Sequence, residues 1–163
     1  MVHNIVRNIA KAVWRCVYCP CPEIDLGDGG EGEQGNLAST DASDWESARD
    51  NSTETQVGDA VLSTADDLNT FGASTAVILE AGKTYAVAFV ITSVTNIIGS
   101  VFCRLSTDKE LSSGNVFSAQ DDLTFEDNTV TVPGNGTYYI GVIATVPGAL
   151  ASLVITVSIS EVV

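Results

Sequence analysis

Residues 84–93 read Thr-Tyr-Ala-Val-Ala-Phe-Val-Ile-Thr-Ser. Tyr85, Val87, Phe89 and Ile91 alternate with Thr84, Ala86, Ala88 and Val90, so one face of an extended chain is large and apolar and the other is small. That period of two is the signature of a β-strand with one buried side. Working outward, Ala81-Gly82-Lys83 marks a turn before this strand, and Ser74–Glu80 reads as the strand leading into it. Downstream, Gly99–Ser106, Asn115–Ala119, Asp122–Phe125 and Thr129–Val132 have strand character. Pro133-Gly134-Asn135-Gly136 is a strong turn signal before Thr137–Thr145, and Pro147-Gly148 joins that segment to a last strand over Ala151–Val162. Upstream, Thr55–Ser63 reads as one strand. About eight short antiparallel strands punctuated by Gly and Pro predict a mainly β fold, a jelly roll or β-sandwich.

The composition agrees. The chain has 163 residues, 45% of them apolar, enough for one domain with a real core and too apolar for global disorder. Charge is divided unevenly. No acid precedes Glu23; from it onward stand all 21 acids against only Arg49, Lys83, Arg104 and Lys109, a net −17. Residues 1–22 carry +3 through Arg7, Lys11 and Arg15. An acidic body repels phosphate, which excludes nucleic acid as its main partner.

Three segments follow from this division. Residues 1–22 are expected to form an anchoring segment. Within it, residues 4–17 predict a short amphipathic helix, stopped by Pro20 and Pro22, with Val2, Val6, Ile9, Val13 and Val17 on one stripe and His3, Arg7, Lys11 and Arg15 on another. Trp14 adds to the contact set. Residues 23–35, EIDLGDGGEGEQG, predict a flexible, self-repelling linker, and residues 36–163 the β-sandwich domain. The charges at Arg7, Lys11 and Arg15 interrupt the apolar stretch and no small-residue cleavage site follows, so an unprocessed cytosolic product is expected. No run reaches the ~18 apolar residues of a membrane span.

Several stretches resemble carbohydrate-binding-module-like jelly rolls: Asn36-Leu37 followed by Asp41–Trp45 (DASDW), Leu79–Phe89 (LEAGKTYAVAF), Gly136–Val142 (GTYYIGV) and Val154–Val162 (VITVSISEV). The resemblance covers residues 36–163. It implies a jelly roll of the kind found in structural proteins of tailed bacteriophages, where such domains decorate heads, fibres and tails behind a short anchoring peptide. Members of that group that hold calcium place an Asp in the last strand; here Ser152–Thr156 contains no carboxylate.

The candidate chemistry is sparse. Cys16, Cys19 and Cys21 form C-x2-C-x-C, a metal-ligand set short of a fourth member; the alternative is three small apolar contacts in a reducing cytosol. His3 is the sole histidine and lies far from any nucleophile pattern, and the acid pairs Asp66-Asp67 and Asp121-Asp122 read as solvated loop charges. Trp45, Tyr138 and Tyr139 are the candidates for stacking on a sugar, with Tyr138 and Tyr139 on opposite faces of one strand.

No cofactor is expected, and the resemblance, with the division into anchor, linker and body, implies a non-enzymatic virion surface protein. It would be made in the host cytoplasm, docked through residues 1–22 on a major capsid or tail shell protein, homo-oligomeric, and display its acidic jelly roll outward. The alternative reading is a glycan-binding adhesion module on a tail or fibre, with a cell-surface glycan as ligand. An ancillary domain of a glycan-degrading enzyme and a membrane-surface protein held by the basic helix are the remaining readings.

Overall fold

The computed structural model describes residues 35–49, 51–121, 124–145 and 147–163. The expected N-terminal helix, its Cys/Pro segment and residues 23–34 of the linker lie outside these. Among the described residues a 3₁₀ turn at Ala42–Asp44 leads into ten strands. They are β1 (Trp45–Ser47), β2 (Ser52–Val57), β3 (Ala60–Ala65), β4 (Phe71–Leu79), β5 (Thr84–Ile97), β6 (Val101–Ser106), β7 (Asn115–Gln120), β8 (Thr124–Thr131), β9 (Gly136–Ala144) and β10 (Pro147–Glu161).

The strands form two five-stranded sheets. The first has the order β1-β4-β9-β6-β7 and the second β2-β3-β10-β5-β8, and every neighbouring pair is antiparallel. Only β2–β3 and β6–β7 are hairpins; each other connection passes from one sheet to the other. This is a two-sheet antiparallel sandwich of the jelly-roll type, as the alternation in residues 84–93 predicts.

The core lies between the sheets. Tyr85, Val87, Phe89 and Ile91 are all buried, and they meet Phe71, Leu79, Leu105 and Ile140 of the first sheet in one continuous cluster. Each buried large side chain contributes roughly 1.5–3 kcal/mol through removal of apolar surface from water. Phe117 of β7 stacks on Phe89 at 5.8 Å and meets Phe125 of β8 edge-on at 5.0 Å, closing one side of the sandwich. Cys103 is buried in the same cluster.

Strand limits differ from the sequence reading in three places. Thr55–Ser63 is not one strand: Gly58 (φ +62) and Asp59 turn the chain between β2 and β3, with Val57 opposite Ala60. Thr124–Phe125 and Thr129–Thr131, expected in two separate strands at Asp122–Phe125 and Thr129–Val132, are parts of one strand, β8, because β5 pairs along both. β5 itself runs beyond Ser93 to Ile97, paired with β10 across a bulge. Gly141 of β9 shows how tightly β4 and β9 approach. A Cβ there would lie 2.1 Å from the Ala73 carbonyl oxygen and 2.7 Å from the Ser74 Cα, so only glycine fits.

Candidate functional site

β1 is only three residues long, so β4 beyond Thr75 has no strand partner on that side among the described residues. The segment preceding β1 is fastened instead to the second sheet. The Leu37 N–H donates to the Ile159 carbonyl at 2.8 Å. The Asn36 side chain acts as a clamp: its Oδ1 accepts from the N–H groups of Ala38 and Ile159, and its Nδ2 donates to the Val157 carbonyl. Between this segment and the β1–β4 edge opens a cleft of about 600 Å³. That volume lies within the range of small-ligand sites.

Polar groups dominate the cleft: Asn36, Ser39, Ser43, Asp44, Glu46 and Thr75, with Leu37, Ala38 and Ala76 as its apolar lining. Asp44 is held in place, since its Oδ2 accepts from the Ser39 hydroxyl at 2.7 Å and its backbone carbonyl accepts from the Thr75 hydroxyl at 3.1 Å. Its other carboxylate oxygen has no protein partner among the described residues. Below it, Asp41 caps the 3₁₀ turn by accepting from the Ser43 N–H; this bond, together with the Ser43 side chain, holds the Asp41 carboxyl below the usual carboxylate range. Ala76, at the end of the cleft, is the register partner of Tyr139 on β9, so the half-buried tyrosine ring stands in the next strand along the same row.

The outer face of the first sheet beside Tyr139 is roofed by a strap, residues 107–114, which connects β6 to β7. Leu111 is fully buried there against Ala48 and Ile143, with Phe102 and Tyr139 packed at the margin. Three side chains of the sheet grip the strap's backbone carbonyls: Ser74 donates to Lys109, Arg104 to Leu111 and Ser106 to Ser113. Two ion pairs fasten its sides, Lys109–Glu46 at 3.1 Å and Arg49–Glu110 at 3.5 Å. Asp108 organises it from within, accepting from the Ser112 and Ser113 hydroxyls and from the N–H groups of Glu110, Ser112 and Ser113. The Ser112 hydroxyl leads these interactions in holding the Asp108 carboxyl down at about 2.

Arg104 lies under the strap with its guanidinium 4.7 Å from the centre of the Phe102 ring. Burial, and then the neighbouring Arg49 cation, push its pKa down. The Nε atoms of both arginines are buried without an acceptor among the described residues.

The residues singled out in the sequence are separated by this arrangement. Trp45 is 6% exposed and its indole N–H donates to the Ser39 carbonyl. Tyr138 is 3% exposed and its hydroxyl donates to the Gly134 carbonyl. Both belong to the core, which corrects the expectation that they contact a glycan: at positions facing inward, the apolar ring is worth more buried than displayed. Tyr139 alone of the three reaches the outer face. Val2, Val6, Arg7, Ile9, Lys11, Val13, Trp14, Arg15 and Val17, with Cys16, Cys19 and Cys21, lie outside the described residues. Among the described residues no group of His, Cys, Asp or Glu is arranged to hold a metal ion, and no helix is long and apolar enough to cross a membrane.

The strap is not among the strands and turns that the sequence pattern marks, although DKELSSG at 108–114 carries its signal. An Asp followed by serines and a Gly marks a self-capped turn, and Leu111 is a lone apolar residue within it. Arg49 and Arg104 counted there only as charges.

No protein-family profile matches the chain, and no curated protein matches it. Among solved structures, a family 4 carbohydrate-binding module is 16% identical, with 72% of this chain and 86% of that one covered at a TM-score of 0.47. A family 29 carbohydrate-binding module is 9% identical over 80% of this chain and 92% of that one, also at 0.47. The enzymatically active domain of tailspike protein 4 of bacteriophage CBA120 is 14% identical over 78% of this chain and 21% of its own, at 0.44. Similarity at this level transfers no ligand or partner, and the fold rests on the strand order described above.

Proposed function

We propose that the β domain is a non-catalytic binding module for neutral glycans, with the edge cleft as its site. The observation that carries this reading is the cleft itself: a volume of about 600 Å³, lined by hydroxyl, amide and carboxylate groups and ending one strand from a half-buried tyrosine. Asp44 and Glu46 are acceptors suited to sugar hydroxyls, and Leu37 and Ala76 supply an apolar surface for a ring face. Both charged groups of the cleft are carboxylates, so uncharged sugars enter and anionic ones are repelled. Affinity for one unit would be modest and would sum over copies.

Affinity electrophoresis through gels containing soluble neutral polysaccharides tests this. The wild-type protein is expected to be retarded, and Asp44→Asn and Tyr139→Ala to lose about tenfold in affinity, roughly 1.4 kcal/mol. Unretarded wild-type protein across β-glucans, xylans, mannans and galactans overturns the reading.

The sequence division between a +3 segment at residues 1–22 and a −17 remainder favours a second element of the proposal. In it the body is carried on a virion surface by docking of residues 1–22 on a capsid or tail shell protein, in several copies. Particles assembled with a chain lacking residues 1–22 are expected to lose it; full occupancy refutes the anchor.

A further inference from the structure

Three of the four cations in the acidic body, Arg49, Arg104 and Lys109, converge on the strap and the sheet face beneath it. Lys109 is matched by Glu46. The two arginines are not matched in the same way. Among the described residues Arg104 has no carboxylate partner, although its charge is half-buried in a chain rich in acids. Its contacts are one strap carbonyl and the face of Phe102. Among the described residues Arg49 has a single carboxylate contact, one oxygen of Glu110 at 3.5 Å, which is long for a charge-assisted hydrogen bond. Each guanidinium also keeps a buried Nε–H without an acceptor among these residues. Buried donors of this kind are rare because each loses its water without replacement. Arg49 and Arg104 are adjacent: they hold consecutive strap residues, Glu110 and Leu111. Two neighbouring guanidiniums, each with an unused donor, exceed what one monodentate carboxylate satisfies, since a guanidinium fork pairs best with two oxygens.

We propose that Arg49 and Arg104 form a carboxylate-binding site, for which an external carboxylate competes with Glu110 of the protein's own strap, the group that holds its Arg49 side in this structure. Glu110 suits the role of an exchangeable internal occupant. Its side chain is 51% exposed, whereas that of Arg49 is 28% exposed. It lies in a segment whose anchor, Leu111, is fixed independently of it by burial and by the Arg104 hydrogen bond. The carboxylate of Glu110 also defines the ligand chemistry: a planar two-oxygen anion, as borne by a uronic acid or a free carboxylic acid. This site and the neutral-glycan cleft rest on different residues and fail separately.

The test titrates sodium acetate and, separately, sodium glucuronate into the full chain at fixed ionic strength, following the arginine Nε–H signals in ¹H–¹⁵N spectra. Glu110→Gln removes the internal competitor and is expected to tighten binding of both probes by about tenfold or more, with both Nε–H signals moving downfield. In that background Arg104→Gln is expected to abolish binding. Because Arg104 also grips the strap backbone, Arg49→Gln, whose parent arginine reaches the strap only through the Glu110 side chain among the described residues, serves as the second variant and is expected to weaken binding by a similar factor. Equal affinity for the two probes assigns the site to the carboxylate alone, and tighter glucuronate assigns it to an acidic sugar. Glu110→Gln binding neither probe, binding them no more tightly than wild type, or binding them equally well after Arg49→Gln overturns the proposal.

Discussion

Leu111 is both fully buried and left-handed, with φ +54, and the two properties make opposite demands on a replacement. Leu111→Ala removes three carbons from a closed apolar contact with Ala48 and Ile143. At roughly 0.8 kcal/mol per methylene plus a cavity term, the loss is about 3 kcal/mol. Leu111→Gly would ordinarily be worse by a further ~0.5–1 kcal/mol, because glycine gives the unfolded chain more freedom. At φ +54, however, an L-residue carries ~1–2 kcal/mol of backbone strain that glycine does not. The expected order is therefore reversed, with the glycine variant about 0.5 kcal/mol more stable than the alanine variant. Equilibrium urea unfolding of the three chains, followed by far-ultraviolet circular dichroism, measures both differences. Alanine more stable than glycine by about 1 kcal/mol would refute the strain argument. A loss below about 1 kcal/mol for Leu111→Ala would show that the strap opens apart from the sandwich.

Three further outcomes are expected. The Asp108 carboxyl is held at about 2 in the folded chain against an ordinary 3.8, so its contribution is complete above about pH 4 and is lost as pH falls toward 2; the gap in urea midpoint between wild type and Asp108→Asn should close over that interval. Burial raises the Glu54 carboxyl despite its hydrogen bonds from Ser52 and Ser63, so its ionised form opposes folding; Glu54→Gln should gain on wild type as pH rises from about 4 to 7, and a constant difference would contradict this. Gly141→Ala forces a methyl into the Ala73 carbonyl and should destabilise by about 2 kcal/mol or more, read as a lowered thermal midpoint; an unchanged midpoint would mean that β4 and β9 separate without penalty.

Much of the fold was legible locally. The alternation Tyr85–Val87–Phe89–Ile91 names its own buried face, because in a strand side-chain direction depends only on parity. The turn at Pro133–Gly136 and the strand Gly136–Ala144 were equally plain. Strand limits were not, because they depend on partners: β8 is continuous only because β5 runs alongside it, and β5 reaches Ile97 only because β10 does. The turn at Gly58-Asp59 is masked by the strand-like residues on either side of it.

The site divides in the same way. Parity predicts that Tyr138 and Tyr139 face opposite sides, but not which of them is buried, since that depends on which face of the first sheet meets the second. Trp45 is an inward residue for the same reason. What the sequence determined alone is whatever depends on residues close in the chain: strand alternation, turn chemistry and the division of charge. What only the tertiary structure decided is the cleft between residues 36–39 and β4, and the meeting of Arg49 with Arg104 beneath the strap. Those groups lie tens of residues apart, and it is the order of strands across two sheets, set by the global burial of apolar faces, that places them side by side.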